Sequence, residues 1–328
     1  DSCSRPDIYY ILFDAYTSSA VLQSDFGYRN TIDSFLGSKQ FFIVEHSRSN
    51  YNLTPFSISS CFNLQYLPGL NVNQDIYMDG YMPGVQTVYK SELIPILEKE
   101  GYDIVNHSIF TLEGHPPVTP AYDVWDVDHL YSYHNIFRKI DEDIGWAIRR
   151  RFPAFTWRWH EKDYVAQRDN HLEKTLAAFR QTIQTIPARP RFVYTHFVLP
   201  HAPYNYDSSG QKNGKGYQSM TIPQKQQAYV LQVGYANKLI RETVETIFSH
   251  SSRPLVIIIQ GDHGFRFGNG PQKDLEFPNL NALYFSNGDY RMLNDSMTNI
   301  NTFRVVFNTF FHQQFPLLKD TSYFLNYK

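Results

Sequence analysis

Cysteine is scarce in this chain. Cys3 and Cys61 are its only two, and neither belongs to a Cys-x-x-Cys pair or a Cys/His cluster with zinc-finger spacing, which argues against a structural zinc site. Whether they stay as free thiols or pair in an oxidising compartment is left open by the sequence. Long apolar runs are also missing. The longest, Leu255–Ile259, has the length of a strand and falls well short of the roughly 18 residues that a membrane span needs. Neither sign of charge dominates: 30 Lys and Arg face 32 Asp and Glu for a net charge of −2, so no global field favours nucleic acid. Repeats and low-complexity tracts are absent. The chain opens at Asp1 without an initiating Met or a signal-peptide pattern and enters an apolar strand at once. That start reads as a processed or excised domain, with an upstream membrane anchor and an extracytoplasmic location as the expectation.

The chain does have length and aromatics. Its 328 residues allow a large core, and 24 Tyr and 25 Phe suit buried sheet faces and an aromatic-lined cleft. Short runs of Ile, Val, Phe and Tyr predict strands at Ile8–Phe13, Phe41–Glu45, Asp103–Asn106, Phe192–Phe197, Leu255–Gln260 and Ala282–Phe285. Helical patterns fall near Thr31–Gly37, Thr54–Phe62, Ser91–Glu100, His171–Ile186, Gln224–Phe248 and Thr302–Phe311. Near-continuous apolar strands alternating with helices predict an α/β fold, with a doubly wound, mostly parallel sheet covered on both faces. We expect a single domain over residues 1–328, with a smaller C-terminal subregion over about 277–328. The polar run Tyr206–Ser219 reads as a surface loop, placed to act as a lid.

Ligands of open α/β sheets sit beyond the carboxyl ends of the strands. Asp14 follows the first predicted strand, Thr54 follows the second, His201 the fourth, and Asp262-His263 the fifth. Four separate segments thus aim metal-competent side chains at one edge. Gln260-Gly261-Asp262-His263-Gly264 sets a carboxylate beside an imidazole between glycines that let backbone come close, a donor pair suited to Zn or Mn better than to Ca. Asp14 alone would serve as a turn cap. Beside a second carboxylate on the same edge, it fits a cation that removes the repulsion between the two. Thr54 precedes Pro55, so it reads as the N-cap of a helix whose positive end would receive a phosphate or sulfate. A metal would make its hydroxyl a competent nucleophile, with Ser57 as the rival one turn later. His201 stands between Pro200 and Pro203, rigidly presented for proton transfer or oxygen binding, whereas His196 reads as a hydrogen-bonded core residue.

Pro6–Asp14, Pro200-His201-Ala202-Pro203 and Gly261-Asp262-His263-Gly264, with Asn301-Thr302-Phe303-Arg304 and Asn308 further on, occur in the order seen in sulfatase-like members of the alkaline phosphatase superfamily. The chain resembles the catalytic domain of lipoteichoic acid synthases and related membrane-anchored phosphoglycerol or phosphoethanolamine transferases. The resemblance implies one divalent ion (Mn or Zn, with Mg or Ca open) held by Asp14, Thr54, Asp262 and His263. It also implies that Thr54 is the covalent nucleophile, that His201 contacts substrate, and that the substrate is a small-molecule or lipid-headgroup phosphoester. Lipoteichoic acid synthases carry Glu at the first ligand and Gly-Lys before the threonine; this chain has Asp14 and Asn52-Leu53. A formylglycine sulfatase needs Cys or Ser in a C/S-x-P-x-R motif, and neither Cys3-Ser4-Arg5-Pro6 nor the residues after Cys61 provide it. The Asp and second His of two-zinc phosphodiesterases are missing from Pro200–Tyr204, which points to one metal. A sulfatase or phosphomonoesterase on the same fold, or a non-catalytic sensor, stays as the alternative. Trp146–Trp159 mixes arginines with aromatics and reads either as a surface that rests on an anionic bilayer or as a structural excursion.

Overall fold

The computed structural model describes residues 5–70, 75–76, 78–120, 153–212, 217–266 and 273–327. Seven-residue strand β1 (Asp7–Phe13) is buried along its whole length, as a strand covered on both faces must be. Side chains alternate across a strand. Tyr9, Ile11 and Phe13 therefore enter one core and Ile8, Tyr10 and Leu12 the other. Strand β6 (Leu255–Gly261) repeats the pattern, with Ile257 and Ile259 on the first side and Val256 and Ile258 on the second.

These two strands sit centrally in a six-stranded sheet of order β2-β7-β6-β1-β5-β4. The remaining members are β2 (Phe42–Ile43), β4 (Asp103–His107), β5 (Arg191–Phe197) and β7 (Asn281–Phe285). β1 pairs in parallel with β5 and β6, and β5 in parallel with β4. β7 is antiparallel to both β6 and β2 and so runs alone against the rest. All six predicted strands are present, although the second shrinks to the edge pair Phe42–Ile43. A separate two-stranded ribbon, β3 (Asp75–Ile76) with β8 (Asn326–Tyr327), had no counterpart in the sequence reading.

Helices cover both faces. On the first lie α1 (Ser19–Phe26), α2 (Ile32–Ser38), α6 (Pro153–Gln184) and α7 (Ile222–His250), which contribute Leu22, Leu36, Phe179 and Val233 to that core. On the second lie α3 (Thr54–Phe62), α4 (Met82–Tyr89), α5 (Leu93–Lys99) and α8 (Thr302–Phe310), which contribute Phe62, Val88, Leu97 and Phe303. Each such side chain contributes about 1.5–3 kcal/mol on full burial. α1 and α4 are additions to the sequence reading. α1 carries ordinary signals: Ser18 accepts from the Val21 N–H (3.3 Å), and Gly27, at φ 61°, returns its N–H to Leu22. α4 holds Pro83 and Gly84 in its first turn. Gly84 lets α4 come close to α3, where a Cβ would lie a tight 3.0 Å from Pro55. Cys61 keeps a free thiol, buried on α3 with the Tyr10 hydroxyl 4.0 Å from its sulfur, and Cys3 lies outside the described residues.

Candidate active site

Because Phe13 is in register with Gly261 on the adjacent parallel strand, the next residues of both chains, Asp14 and Asp262, leave the sheet side by side. The turn after Asp14 puts Ala15 at φ 61°, a left-handed conformation that L side chains adopt with strain. Two hydrogen bonds hold it there. The Ala15 N–H donates to Asp262 Oδ1 (2.9 Å), and the Tyr229 hydroxyl, from α7, donates to the Ala15 carbonyl (2.8 Å). The flanking glycines are required by close approach. A Cβ on Gly261 would lie 2.5 Å from the Tyr16 carbonyl oxygen, and one on Gly264 would lie 2.6 Å from that of Pro278. Asn279 and Asn299 both donate to the Gly261 carbonyl and fix the strand end from the other side.

Asp14, Asp262 and His263 are buried, and one donor atom from each lies within 4.8 Å of the others. His263 Nδ1 is bonded to the Gly264 carbonyl (2.6 Å), which places the proton on Nδ1 and turns the lone pair of Nε2 toward Asp14 Oδ1 and Asp262 Oδ2, each 3.5 Å away. Burial, followed by the charge of Arg266, holds the imidazole well below its ordinary pKa and therefore neutral. Burial and then the Asp14 charge push the Asp262 carboxyl up to about 6. Burial also opposes ionisation of Asp14, but His201 and then His196 outweigh it and hold that carboxyl below the usual range. Asp14 Oδ1, Asp262 Oδ2 and His263 Nε2 have no hydrogen-bond partner. Three buried acceptors facing one another cost several kcal/mol with nothing between them. Two carboxylates and an imidazole with its far nitrogen anchored to a carbonyl are the donors and the support that a divalent cation takes.

Thr54 is the first residue of α3, and Leu53 rather than Thr54 is its N-cap, with no side-chain cap. The expected capping duty is thus absent. The Thr54 hydroxyl instead acts on the Asp262 carboxyl, offsetting part of the rise that burial imposes on it. Ser57, the rival, donates to the main-chain carbonyl of Asp262 (2.6 Å) and is committed there. His201 lies at the rim, part exposed, its ring centroid 6.4 Å from that of His263. Its Nδ1 is bonded to the Ala202 carbonyl (2.6 Å), and its own carbonyl accepts from Gln232 (2.9 Å). His196 is the hydrogen-bonded core residue expected, 3.3 Å from the Tyr194 hydroxyl, but its Nε2 also stands 3.5 Å from Asp14 Oδ2. The structure therefore gathers Asp14, Thr54, His201, Asp262 and His263 at one edge. Tyr229, Gln232, Asn279 and Asn299, which hold that edge in shape, carry no local signal in the sequence. Of Trp146–Trp159, residues 146–152 lie outside the described residues and the remainder opens α6.

The sulfatase family profile matches residues 42–307. No curated protein matches by sequence. Among solved structures, the chain is similar to the C-terminal periplasmic domain of phosphoethanolamine transferase EptC from Campylobacter jejuni, at 10% identity and a TM-score of 0.53, over 94% of this chain and 89% of that one. The corresponding Escherichia coli domain, in complex with Zn, gives 9% identity and 0.55 over 94% and 82%. The phosphonate monoester hydrolase of Agrobacterium radiobacter gives 11% and 0.53 over 93% and 73%. At such identities the likeness is one of fold.

Proposed function

The chain belongs to the sulfatase family and is a sulfatase-like hydrolase or transferase, and from that premise we propose that it transfers or hydrolyses a phosphoester through a phosphothreonine formed on Thr54. The observation that carries this reading is the trio of unpartnered acceptors, Asp14 Oδ1, Asp262 Oδ2 and His263 Nε2, beside the only threonine hydroxyl at the start of α3. These three residues and Thr54 would hold one divalent ion, Mn or Zn by the donor set. Bound there, the ion would lower the pKa of the Thr54 hydroxyl and neutralise charge on the phosphoryl oxygens.

The residues then divide the work. Thr54, its hydroxyl proton given up to solvent beforehand, bonds through Oγ to phosphorus as the bond to the ester oxygen breaks, and His201 at the rim gives the departing alcohol its proton. In the second half, water or an acceptor alcohol loses a proton to His201 and takes the phosphoryl group from Thr54. The part-exposed rim, the periplasmic provenance of the similar domains and the phosphoethanolamine chemistry in their names support a lipid-headgroup or cell-envelope phosphodiester as substrate, met outside the cytoplasm by a single anchored catalytic domain. Trp146–Trp159 is the segment that would rest on the bilayer. No described helix is long and apolar enough to cross a membrane.

The test is Thr54→Ala in protein loaded with Mn or Zn, assayed on bis(nitrophenyl) phosphate, nitrophenyl phosphate and nitrophenyl sulfate. Turnover should fall by about 10³-fold or more with melting temperature unchanged. Substantial activity in the variant would end the covalent reading, and preference for the sulfate would replace phosphoester chemistry with sulfate-ester hydrolysis.

A further inference from the structure

Helix α6 turns a polar stripe inward beside this centre. Residues three and four apart on a helix share a face. On α6 that face mixes Leu172, Leu176 and Phe179 of the core with Arg168, His171 and Thr175, which are only 2%, 5% and 1% exposed. Arginine is almost never fully buried unless paired. Yet neither Nη atom of Arg168 has a hydrogen-bond partner, and no described carboxylate forms an ion pair with it. Asp169, the next residue, is committed elsewhere, to Asn205 (2.6 Å) and Lys212 (3.3 Å). Thr175 Oγ1 and Thr195 Oγ1, on α6 and the facing strand β5, are likewise unpartnered.

The stripe leads to the centre by two routes. His171, one turn from Arg168, is held by the backbone of Thr119 and feels the charge of His196, and His196 Nε2 stands 3.5 Å from Asp14. Asn205, between Tyr204 and Tyr206, donates to Asp169 next to Arg168 (2.6 Å), and the Arg168 charge acts on both phenols. Tyr204 closely follows His201 and stacks, at 6.4 Å, on Phe265, which closely follows His263. A buried guanidinium with two free donor groups is thus bracketed by the segments that carry the centre's histidines.

We propose that Arg168 is an anion-recognition residue of this cleft, its two Nη groups taking two oxygens of a phosphate-type oxyanion on the substrate. A guanidinium fork matches such an anion in bidentate geometry, and a buried unpaired charge is stabilised only by a partner that arrives. The inference rests on the phosphoester reading only for the identity of the anion.

The test is calorimetric binding of inorganic phosphate and glycerol 3-phosphate to chelator-treated and to zinc-loaded protein, for wild type, Arg168→Lys and Arg168→Met, with melting temperatures alongside. Arg168→Met should weaken both ligands by about 10-fold to 100-fold in whichever form binds them, and Arg168→Lys by less. Its melting temperature should stay level or rise, since an unpaired buried charge has been removed. Wild type that binds neither ligand in either form overturns the proposal. So does Arg168→Met that binds as wild type does, and a lowered melting temperature with unaltered affinity marks a structural arginine. If Arg168→Met fails to fold, Arg168→Lys is judged by the same affinities. Arg168-dependent phosphate binding in a protein that turns over no ester with any metal would keep this inference and sink the phosphoester reading; turnover with Arg168-independent binding would do the reverse.

Discussion

Asp7 opens strand β1 and Asp14 follows its last residue, and the two carboxylates are about equally buried, at 2% and 4% exposed. Their surroundings differ in kind. Asp7 accepts the Arg191 N–H (3.1 Å) and lies 3.6 Å from the Arg191 guanidinium, whose outer nitrogens bond to Thr182, Thr185 and the Tyr9 hydroxyl. Asp14 has an oxygen with no hydrogen-bond partner and faces a neutral imidazole and a second carboxylate. One end of the strand is ion-paired with a guanidinium of the protein's own, although burial still raises the Asp7 carboxyl above its ordinary pKa. At the other, one carboxylate oxygen has no hydrogen-bond partner and is free to take a ligand. The same residue type on the same strand is a structural element at one end and a ligand candidate at the other, and only the census of partners tells them apart.

The sharpest way to break this contrast is Asp14→Asn. Metal content should collapse and turnover should fall by about 10³-fold or more. Wild-type metal content, measured by elemental analysis, would erase the distinction. Asp7→Ala should do the opposite. Removing one partner of a buried pair strands the Arg191 charge and costs about 3–5 kcal/mol in denaturant unfolding, with metal content per folded molecule unchanged. A milder test uses His107, a buried polar group outside the centre, bonded to Thr182 (2.8 Å) and pushed down by burial to about 4. The folded state holds it neutral while the unfolded chain protonates near 6.5, so its contribution is intact above that pH and is lost as pH falls toward 4. His107→Gln should flatten the acid loss of stability by roughly 1–3 kcal/mol between pH 7 and 4.5; equal slopes in both proteins would refute it.

Much of this was legible in the sequence because it depends on local pattern. The apolar run Leu255–Ile259 could only be a buried strand, and a buried parallel strand ends at a ligand edge, which places Asp262 and His263 without further information. The same logic located Asp14 and His201. What escaped depends on contacts between distant segments. Asn279 and Asn299 matter because they reach the Gly261 carbonyl, and Tyr229 because it reaches Ala15; nothing in their own neighbourhoods announces those partners. The reversed β7 escaped because a five-residue apolar strand looks the same in either direction. Arg168 lay hidden because the sequence starts its helix near His171. With the whole helix in view, its i, i+3, i+7 spacing with His171 and Thr175 is the signal that was there to be used.

Asn50 and Asn52 lead into the helix that bears Thr54, and they are tied to a segment far away in the chain. Asn50 donates to the Thr321 carbonyl (2.9 Å) and its own carbonyl accepts the Tyr323 N–H (2.8 Å), while Asn52 accepts the Leu325 N–H (2.8 Å). Ser322 adds a bond to Ser49 (2.7 Å). The hydroxyl proposed as nucleophile is therefore moored by an arm that contributes nothing to the six-stranded sheet. A nick in that arm should leave the scaffold standing and the spectroscopic signs of folding intact, yet set the start of α3 adrift, so on the proposed reading being folded and being armed are separable conditions.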